Sequence, residues 1–295
     1  MVFAEPIFDE KKFKGVFLDG KLPSPAQGKQ KLKKGDIVEL WGLFPEKLKI
    51  TPLDALREFR KLWGIQSHFD IGWRNEKHEN VRAQAKVGGV DYYVETYSGN
   101  VNSAIEDIVR LSPYSEVEKK SALDHKKFSR LIFAVTDTNP LERIRAMIIA
   151  YSIMNLLTAG TWNGCVHIDH FLFLTPALVT TGIKLYQSND SQLMARFISG
   201  FNFFKNESEE VYFFSHGNNF FSVPDIIFKA RQADEYLAAL SAVHTFFLQS
   251  LSKKKIKTFT LNNTTLQVQN LPAKFKLPEQ VEAMMGKQKV WLKND

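Results

Sequence analysis

One stretch, VRAQAKVGGVDYYVETY at residues 81–97, constrains the fold of this chain more than any other. Its glycine pair, Gly88-Gly89, suits a two-residue hairpin turn, because glycine readily adopts the positive φ angles that such turns need. On one side of the hairpin this turn sets the following residues opposite each other: Val87 and Val90, Ala85 and Tyr92, Ala83 and Val94, Val81 and Thr96. On the other side it pairs opposite charges: Lys86 with Asp91, and Arg82 with Glu95. Two independent patterns therefore predict the same register.

Alternation continues before this hairpin, where Phe69, Ile71 and Trp73 are separated by more polar residues or glycine. The sequence therefore predicts a three-stranded antiparallel meander over about residues 67–97. A second hairpin is predicted in IKTFTLNNTTLQVQ, with Asn262-Asn263 as its turn. That turn sets two pairs opposite each other: Leu261 with Thr264, and Phe259 with Leu266.

Three proline-containing stretches predict helix starts. Thr51-Pro52 predicts a helix over about 52–63, and Asn139-Pro140 predicts one that ends before Gly160. Pro224-Asp225 predicts a third, long helix, because apolar residues recur at helical spacing as far as Leu251. From about residue 101 to 255 the dominant apolar period is that of a helix.

These patterns predict an α+β protein. A small antiparallel sheet plus a helix lies at the N-terminal side, the central body is mainly helical, and a C-terminal β-hairpin is followed by a basic tail. The corresponding segments are a flexible basic N-terminal arm (1–36), an α+β subdomain with the meander (37–100), a helical body (101–255), and the hairpin with the basic tail (256–295).

The charge of the chain limits the kinds of partner that it could bind. The formal net charge is +7, and the lysines concentrate in KLPSPAQGKQKLKKGD near the start and in KKKIK, KFK and KQKVWLK near the end. Such an excess of positive charge favours anionic partners, although a solvated surface with no partner explains it equally well.

The single cysteine and the lack of a signal-peptide pattern favour a cytoplasmic protein. The longest apolar run, AMIIAYSIMNLLTAG, is short for a bilayer crossing and argues against an integral membrane protein.

CVHIDH, residues 165–170, holds four potential metal ligands: Cys165, His167, Asp169 and His170. On a strand the first three would share one face, and on a helix the two histidines would do so. The run is similar to the H-x-H-x-D-H motif of the metallo-β-lactamase fold, but Cys165 replaces its first histidine and the flanking residues differ. We therefore interpret it as a turn between two buried helices whose histidines bond backbone carbonyls, and predict no metal. No nucleotide-binding loop or catalytic motif appears, so no cofactor and no enzymatic activity are predicted.

FNFFKNESEEVYFFSHGNNFF, residues 201–221, is the most aromatic stretch. Its rings could fill the core from an irregular loop, form a groove for a neighbouring subunit, or stack with bases. Because Glu207, Glu209 and Glu210 would repel phosphates, a subunit groove is the better functional interpretation. The residues predicted to form this oligomerisation groove are Phe201, Phe203, Phe204, Phe213, Phe214, Phe220 and Phe221.

The predicted function is that of a non-enzymatic, self-assembling, nucleocapsid-like structural protein that coats RNA or DNA through backbone phosphate contacts, without reading sequence, and RNA is the favoured partner. Homo-oligomers would form by exchange of a terminal arm. The residues predicted to contact phosphates are Arg57, Arg60, Lys61, Arg74, Arg82, Lys126, Lys127, Arg130, Arg143 and Arg145, although a scattered solvated face accounts for them equally well. Three alternatives stay open: a peripheral membrane or matrix-type scaffold that binds anionic lipid, a metal-dependent hydrolase that uses residues 165–170, and a partner-binding module.

Overall fold

A computed structural model gives the fold of this chain for residues 37–45, 52–74, 80–112, 114–158, 160–168, 170–187, 199–230, 236–252, 256–261 and 264–294. The predicted basic arm over residues 1–36 lies outside these residues. The described residues form two compact units. The first unit contains those up to Asp137, together with Arg145–Ile168 and Phe173–Ile183. The second unit contains Thr138–Ile144, the described residues of 169–172, and those from Lys184 onward.

A seven-stranded sheet forms the framework of the first unit. Its strands are β1 (Ile37–Phe44), β2 (His68–Arg74), β3 (Val81–Val87), β4 (Val90–Ser98), β5 (Lys127–Ala134), β6 (Gly164–His167) and β7 (Leu172–Leu174). Their order in the sheet is β2-β3-β4-β5-β1-β6-β7. β1 lies between β5 and β6 and pairs antiparallel with both, although both are distant from it in the sequence.

The predicted hairpin is confirmed in its register. The turn residues Gly88 and Gly89 have φ angles of 56° and 82°, and the pairing of β3 with β4 is the predicted one. Both predicted charge pairs form, with nitrogen–oxygen distances of 3.7 Å and 2.8 Å, respectively: Lys86 with Asp91, and Arg82 with Glu95. β2 pairs antiparallel with β3, which confirms the meander. Turn chemistry and cross-strand charge therefore determine this part of the fold locally.

Helices α1 (Pro52–Trp63) and α4 (Pro140–Leu157) begin at the predicted prolines. Three further helices are α2 (Ser103–Leu111), α3 (Glu116–Leu123) and α5 (Pro176–Gln187). A capping box starts α3: Ser115 Oγ accepts the Glu118 N–H, and the Glu118 carboxylate accepts the Ser115 N–H. Within the described residues, no helix combines the length and the apolar content that a bilayer crossing requires.

Close packing of α4 on the sheet depends on a glycine. A Cβ placed on Gly42, in β1, would lie 2.3 Å from Met154 Cε and 2.8 Å from Ser129 Oγ. The Met154 side chain is fully buried, so it has little free volume into which it could withdraw. The absence of a side chain at Gly42 is therefore a packing requirement of the first unit.

The second unit contains a six-stranded sheet. Its strands are β8 (Gly200–Lys205), β9 (Val211–His216), β10 (Asp225–Lys229), β11 (Thr258–Leu261), β12 (Thr264–Asn270) and β13 (Lys289–Asn294), in the order β11-β12-β13-β10-β9-β8. Within its described residues this unit also includes the helices α6 (Tyr236–Ser252) and α7 (Glu279–Met284) and a short 3-10 helix at Asn218–Phe221. The predicted hairpin of β11 and β12 is confirmed, including both residue pairs that define its register.

The predicted fold class is wrong in its central part. Residues 101–255 are not mainly helical, because they contribute β5 to β10 to the two sheets. All four residues of β6 are buried, as are the first four of β10. A strand that is buried throughout lacks the alternation that reveals a half-buried strand, and a short apolar run is then open to a helical interpretation.

Two further predictions near the C-terminus are corrected. The helix predicted from Pro224-Asp225 begins only at Tyr236, because Asp225–Lys229 pairs as β10 between β9 and β13. The residues predicted as a basic tail instead include β13, which is antiparallel to β12 and parallel to β10. Lys289 and Lys293 of this segment therefore stand on a sheet and not on a free tail.

Candidate functional site

The CVHIDH stretch is a strand and a turn, so its prediction as a turn between two helices is wrong. Cys165 and His167 lie on β6 and both are buried. Burial raises the pKa of the Cys165 thiol well above its usual range. Asp169 lies outside the described residues, and in the part of the chain that is described no three His, Cys, Asp or Glu side chains are grouped to hold a metal ion.

Two of the predicted cations on the first sheet, Arg82 and Arg130, are both neutralised. Arg130 binds Glu39 in bidentate fashion, with Nε–Oε1 and Nη2–Oε2 distances of 2.7 Å and 2.9 Å. Arg82 binds Glu95, which also accepts the Tyr97 hydroxyl at 3.0 Å. These planar, partly buried pairs leave little positive charge for a polyanion.

The remaining predicted cations are distributed between the two units. On α1, Arg57 and Lys61 form weak surface pairs with Asp54 and Glu58 at 3.9 Å and 4.0 Å, whereas Arg60 is exposed. In the first unit Lys126 is exposed, Lys127 is buried and Arg145 is half-buried. The side chain of Arg74 lies outside the described part of β2. In the second unit, Arg143 is buried and donates to the Phe220 carbonyl at 2.7 Å.

The phenylalanines of the predicted groove mostly form core. Five of the seven are buried: Phe201, Phe213, Phe214, Phe220 and Phe221. They project from β8, from β9 and from the 3-10 helix, so they fill the core from regular elements and not from an irregular loop. Phe204 is half-buried, and Phe203 is 53% exposed. A role of this stretch in assembly stays a prediction. Of these seven rings, Phe203 is the one that is exposed and could contact another subunit.

A basic and aromatic surface of the second unit was not predicted as a site. It surrounds Trp291, which lies on β13 between Ile227 of β10 and Gln269 of β12. Lys229 and Lys293 each follow the Ile227–Trp291 pair by two residues on adjacent parallel strands, and they therefore project on the same side as Trp291. A cavity of about 690 Å³ opens there, lined by Lys229, Ala230, Gln269, Pro272, Trp291, Leu292 and Lys293.

An apolar cluster beneath this surface presents its lysines to solvent. The Phe275 ring packs edge-on against Trp291 and Tyr212, with centroid distances of 4.8 Å and 5.1 Å. Because Phe275 is thus directed inward, its neighbours Lys274 and Lys276 are left exposed. The KFK sequence therefore anchors one ring and displays two ammonium groups beside Trp291.

Lys257 lies at the same end of the sheet but on its other face. It precedes Thr258, which pairs with Gln267, and Gln267 in turn pairs with Lys293 across the next strand. Neighbouring strands are ~4.8 Å apart, so Lys257 and Lys293 lie at the same end of the sheet. Lys257 is opposite Val268, whose N–H donates to the Lys257 carbonyl, and Val268 pairs with the buried Leu292, so Lys257 and Lys293 are on opposite faces. We call the three side chains Lys274, Lys276 and Lys293 the lysine surface.

The lysine surface has few acids to neutralise it. All three of its lysines are exposed, and none forms an ion pair with a carboxylate in the described residues. Residues 256–294 contain six lysines but only two acids, Glu279 and Glu282, and Glu282 pairs with Lys289 at 3.4 Å. Lys229, at the rim, binds Glu210, and hydrogen bonds from Lys229, Tyr212 and Asn206 lower the pKa of that carboxyl to about 2.

A buried carboxyl group holds the start of β13 in place. Asp225 accepts hydrogen bonds from the Gly286 and Asn218 N–H groups at 2.8 Å and 3.1 Å, and from Asn219 Nδ2 at 3.0 Å and Ser215 Oγ at 3.4 Å. Burial nevertheless raises its pKa to about 7. The Asp225 N–H also donates to the carbonyl before Lys289, so this network positions the strand that carries Trp291.

Comparison with known proteins adds no assignment to this geometry. No protein-family model matches the chain, and neither a curated protein nor a solved structure is significantly similar to it. The functional argument therefore depends on the residues of the site alone.

Proposed function

We propose that this protein binds nucleic acid through the phosphate backbone, and that the lysine surface of the second unit makes the contacts. The observation that carries the proposal is the set of three exposed lysines without carboxylate partners in the described residues. Ammonium groups that lack a partner can exchange water and small ions for phosphates, and this releases counterions from the polyanion. Lysines already bound to carboxylates would first have to break those pairs.

The location differs from the predicted one for an electrostatic reason. Arg82 and Arg130 of the first sheet are bound to glutamates, and Lys127 and Arg143 are buried. The lysine surface belongs instead to the second basic region of the sequence, where lysines outnumber acids by six to two over residues 256–294. Phosphate contacts of this kind position a protein on nucleic acid but carry no sequence information. We therefore expect binding without sequence specificity. Self-assembly through an exchanged arm stays a prediction.

The test compares charge removal at two places. A first variant changes Lys274, Lys276 and Lys293 to Gln, and a matched control changes three lysines of the first unit to Gln: Lys61, Lys120 and Lys126. Fluorescence anisotropy with a labelled single-stranded oligonucleotide of about 20 residues, RNA or DNA, gives the affinity at several salt concentrations. The wild type should bind with a slope of log K against log salt of roughly −2, because three phosphate contacts each contribute about −0.7.

The first variant should lose most of this salt dependence and at least tenfold in affinity, whereas the control should bind as the wild type does. Failure of the wild type to bind any oligonucleotide at about 50 mM salt would refute the proposal. A greater loss in the control than in the first variant would place the interface on the first unit. Flotation with vesicles that contain about 30% anionic lipid, combined with no binding to oligonucleotides, would assign the lysines to a membrane surface instead.

A further inference from the structure

We infer that the cavity at Trp291 is a nucleotide subsite, in which the indole stacks on one base of a single strand while Lys229 and Lys293 bind the adjoining phosphate. The inference rests on the proposed function and goes beyond it, because the lysine surface alone would not distinguish single strands from duplexes. It assigns a base contact to a cavity of about 690 Å³ that is lined by one aromatic ring, two ammonium groups and one amide.

The ring is held in a defined orientation. Phe275 contacts Trp291 at 4.8 Å with an interplanar angle of 66°, and Tyr212 contacts it at 5.8 Å with an angle of 52°. Both neighbours meet the indole at steep angles and neither stacks flat upon it. Trp291 is half-buried and lines the cavity, so part of its surface stays open to a ligand. Because its neighbours already hold the indole in place, Trp291 loses little conformational entropy when a base stacks on it.

The charges lie where a sugar–phosphate backbone would need them. Lys229 and Lys293 are side by side at the end of two parallel strands, two residues beyond Trp291 and on its side of the sheet. Lys293 has no carboxylate partner in the described part of the second unit, whereas Lys229 binds Glu210. A phosphate in the cavity would compete with Glu210 for Lys229. Gln269 is directly opposite Trp291 on β12 and brings an amide donor and acceptor to the same space.

Stacking defines the class of ligand. In a duplex the faces of the bases are covered by their neighbours, so a side chain on a protein surface can stack only on an unpaired base. Every base has a π face, and the site should therefore accept single-stranded DNA and RNA of any sequence. The predicted signature is an affinity for single strands that depends on the bases as well as on the phosphates.

The experiment separates these two contributions. Binding is measured by fluorescence anisotropy for a labelled thymidine 15-mer and for an abasic 15-mer of equal charge, with the wild type, Trp291→Leu, Trp291→Tyr and the control Phe203→Leu. Phe203 is also an exposed ring of the second unit, so its substitution removes a comparable apolar surface. The wild type should bind the thymidine 15-mer about tenfold more tightly than the abasic one, since one stacked base contributes a factor of this order.

Trp291→Leu should abolish this preference and leave the affinity for the abasic 15-mer unchanged, Trp291→Tyr should retain part of it, and Phe203→Leu should retain all of it. Equal binding of the two oligomers by the wild type would overturn the inference and leave the proposed function intact. Absence of binding to both would overturn the proposed function as well. An equal loss on both oligomers in Trp291→Leu would show that the ring only supports the fold.

A second measurement does not depend on the folding of a variant. Photocrosslinking of the wild type to an oligonucleotide that contains 4-thiothymidine, followed by mass spectrometry, should identify the β13 peptide that contains Trp291. Crosslinks confined to the first unit would contradict the subsite.

Discussion

Asp225 makes the stability of this protein depend on pH in a direction opposite to that of most surface carboxylates. Its side chain is fully buried, and its pKa is raised from 3.8 to about 7. In the unfolded chain the same carboxyl titrates near its ordinary value, so unfolding at pH 4–7 releases a proton. The free energy of unfolding that Asp225 contributes is therefore fully present below about pH 4 and is lost as the pH rises towards 7.

The size of the effect follows from the shift. One pKa unit corresponds to 1.36 kcal/mol, so a shift from 3.8 to about 7 amounts to roughly 4 kcal/mol across this range. Other groups titrate in the same interval, and a reference that lacks this carboxyl is needed. Asp225→Asn provides it, because the amide has nearly the same shape but no charge to gain. Asp107→Asn, at an exposed position, is the matched control for an aspartate removed elsewhere.

The assay is urea unfolding followed by circular dichroism at several pH values between 4 and 8. We expect the stability of the wild type relative to Asp225→Asn to fall by up to about 4 kcal/mol between pH 4 and pH 7 and then to level off. For Asp107→Asn the difference from the wild type should change by no more than a fraction of this amount. If the wild type gained stability relative to Asp225→Asn as the pH rose, Asp225 would be ionised in the native state and the reasoning would be refuted.

Two other predictions concern the first unit. Gly42→Ala should lower the free energy of unfolding by about 1–3 kcal/mol, because its Cβ would overlap Met154 in a filled core; an unchanged urea midpoint would contradict this packing argument. Cys165 is buried and its thiol pKa is raised, so the native protein should react with Ellman's reagent far more slowly than the urea-unfolded chain does. Complete labelling of the native protein within the mixing time would place the thiol at the surface.

Local signals in the sequence predicted the elements whose geometry depends on near neighbours. Gly88-Gly89 determined a turn, the charge pairs across it determined the register, and proline after a capping residue determined where α1 and α4 begin. The second hairpin followed from the same reasoning at Asn262-Asn263. In each case the interacting residues are close in the sequence, at most 13 positions apart for the charge pair of Arg82 with Glu95, so the chain has few alternative ways to satisfy them.

Only part of the candidate site could be predicted from local signals in the sequence. The sequence identified the basic character of KFK and KQKVWLK, but it gave no indication that these segments lie beside Lys229. Nor could it reveal that Phe275 would pack on Trp291 and so leave two lysines exposed. A basic cluster and its aromatic centre form only once the strands that carry them have paired.

By itself the sequence determined the two hairpins, the starts of two helices and the excess of lysine near the C-terminus. The tertiary structure decided that β6 and β10 are strands and that Arg82 and Arg130 are neutralised by glutamates, and it brought Trp291 next to Lys229. The physical reason is that a strand buried on both faces loses its alternating pattern. The partner of a side chain across a sheet is likewise set by strand order, which joins residues as far apart as Ile227 and Trp291 and which no short stretch of sequence specifies.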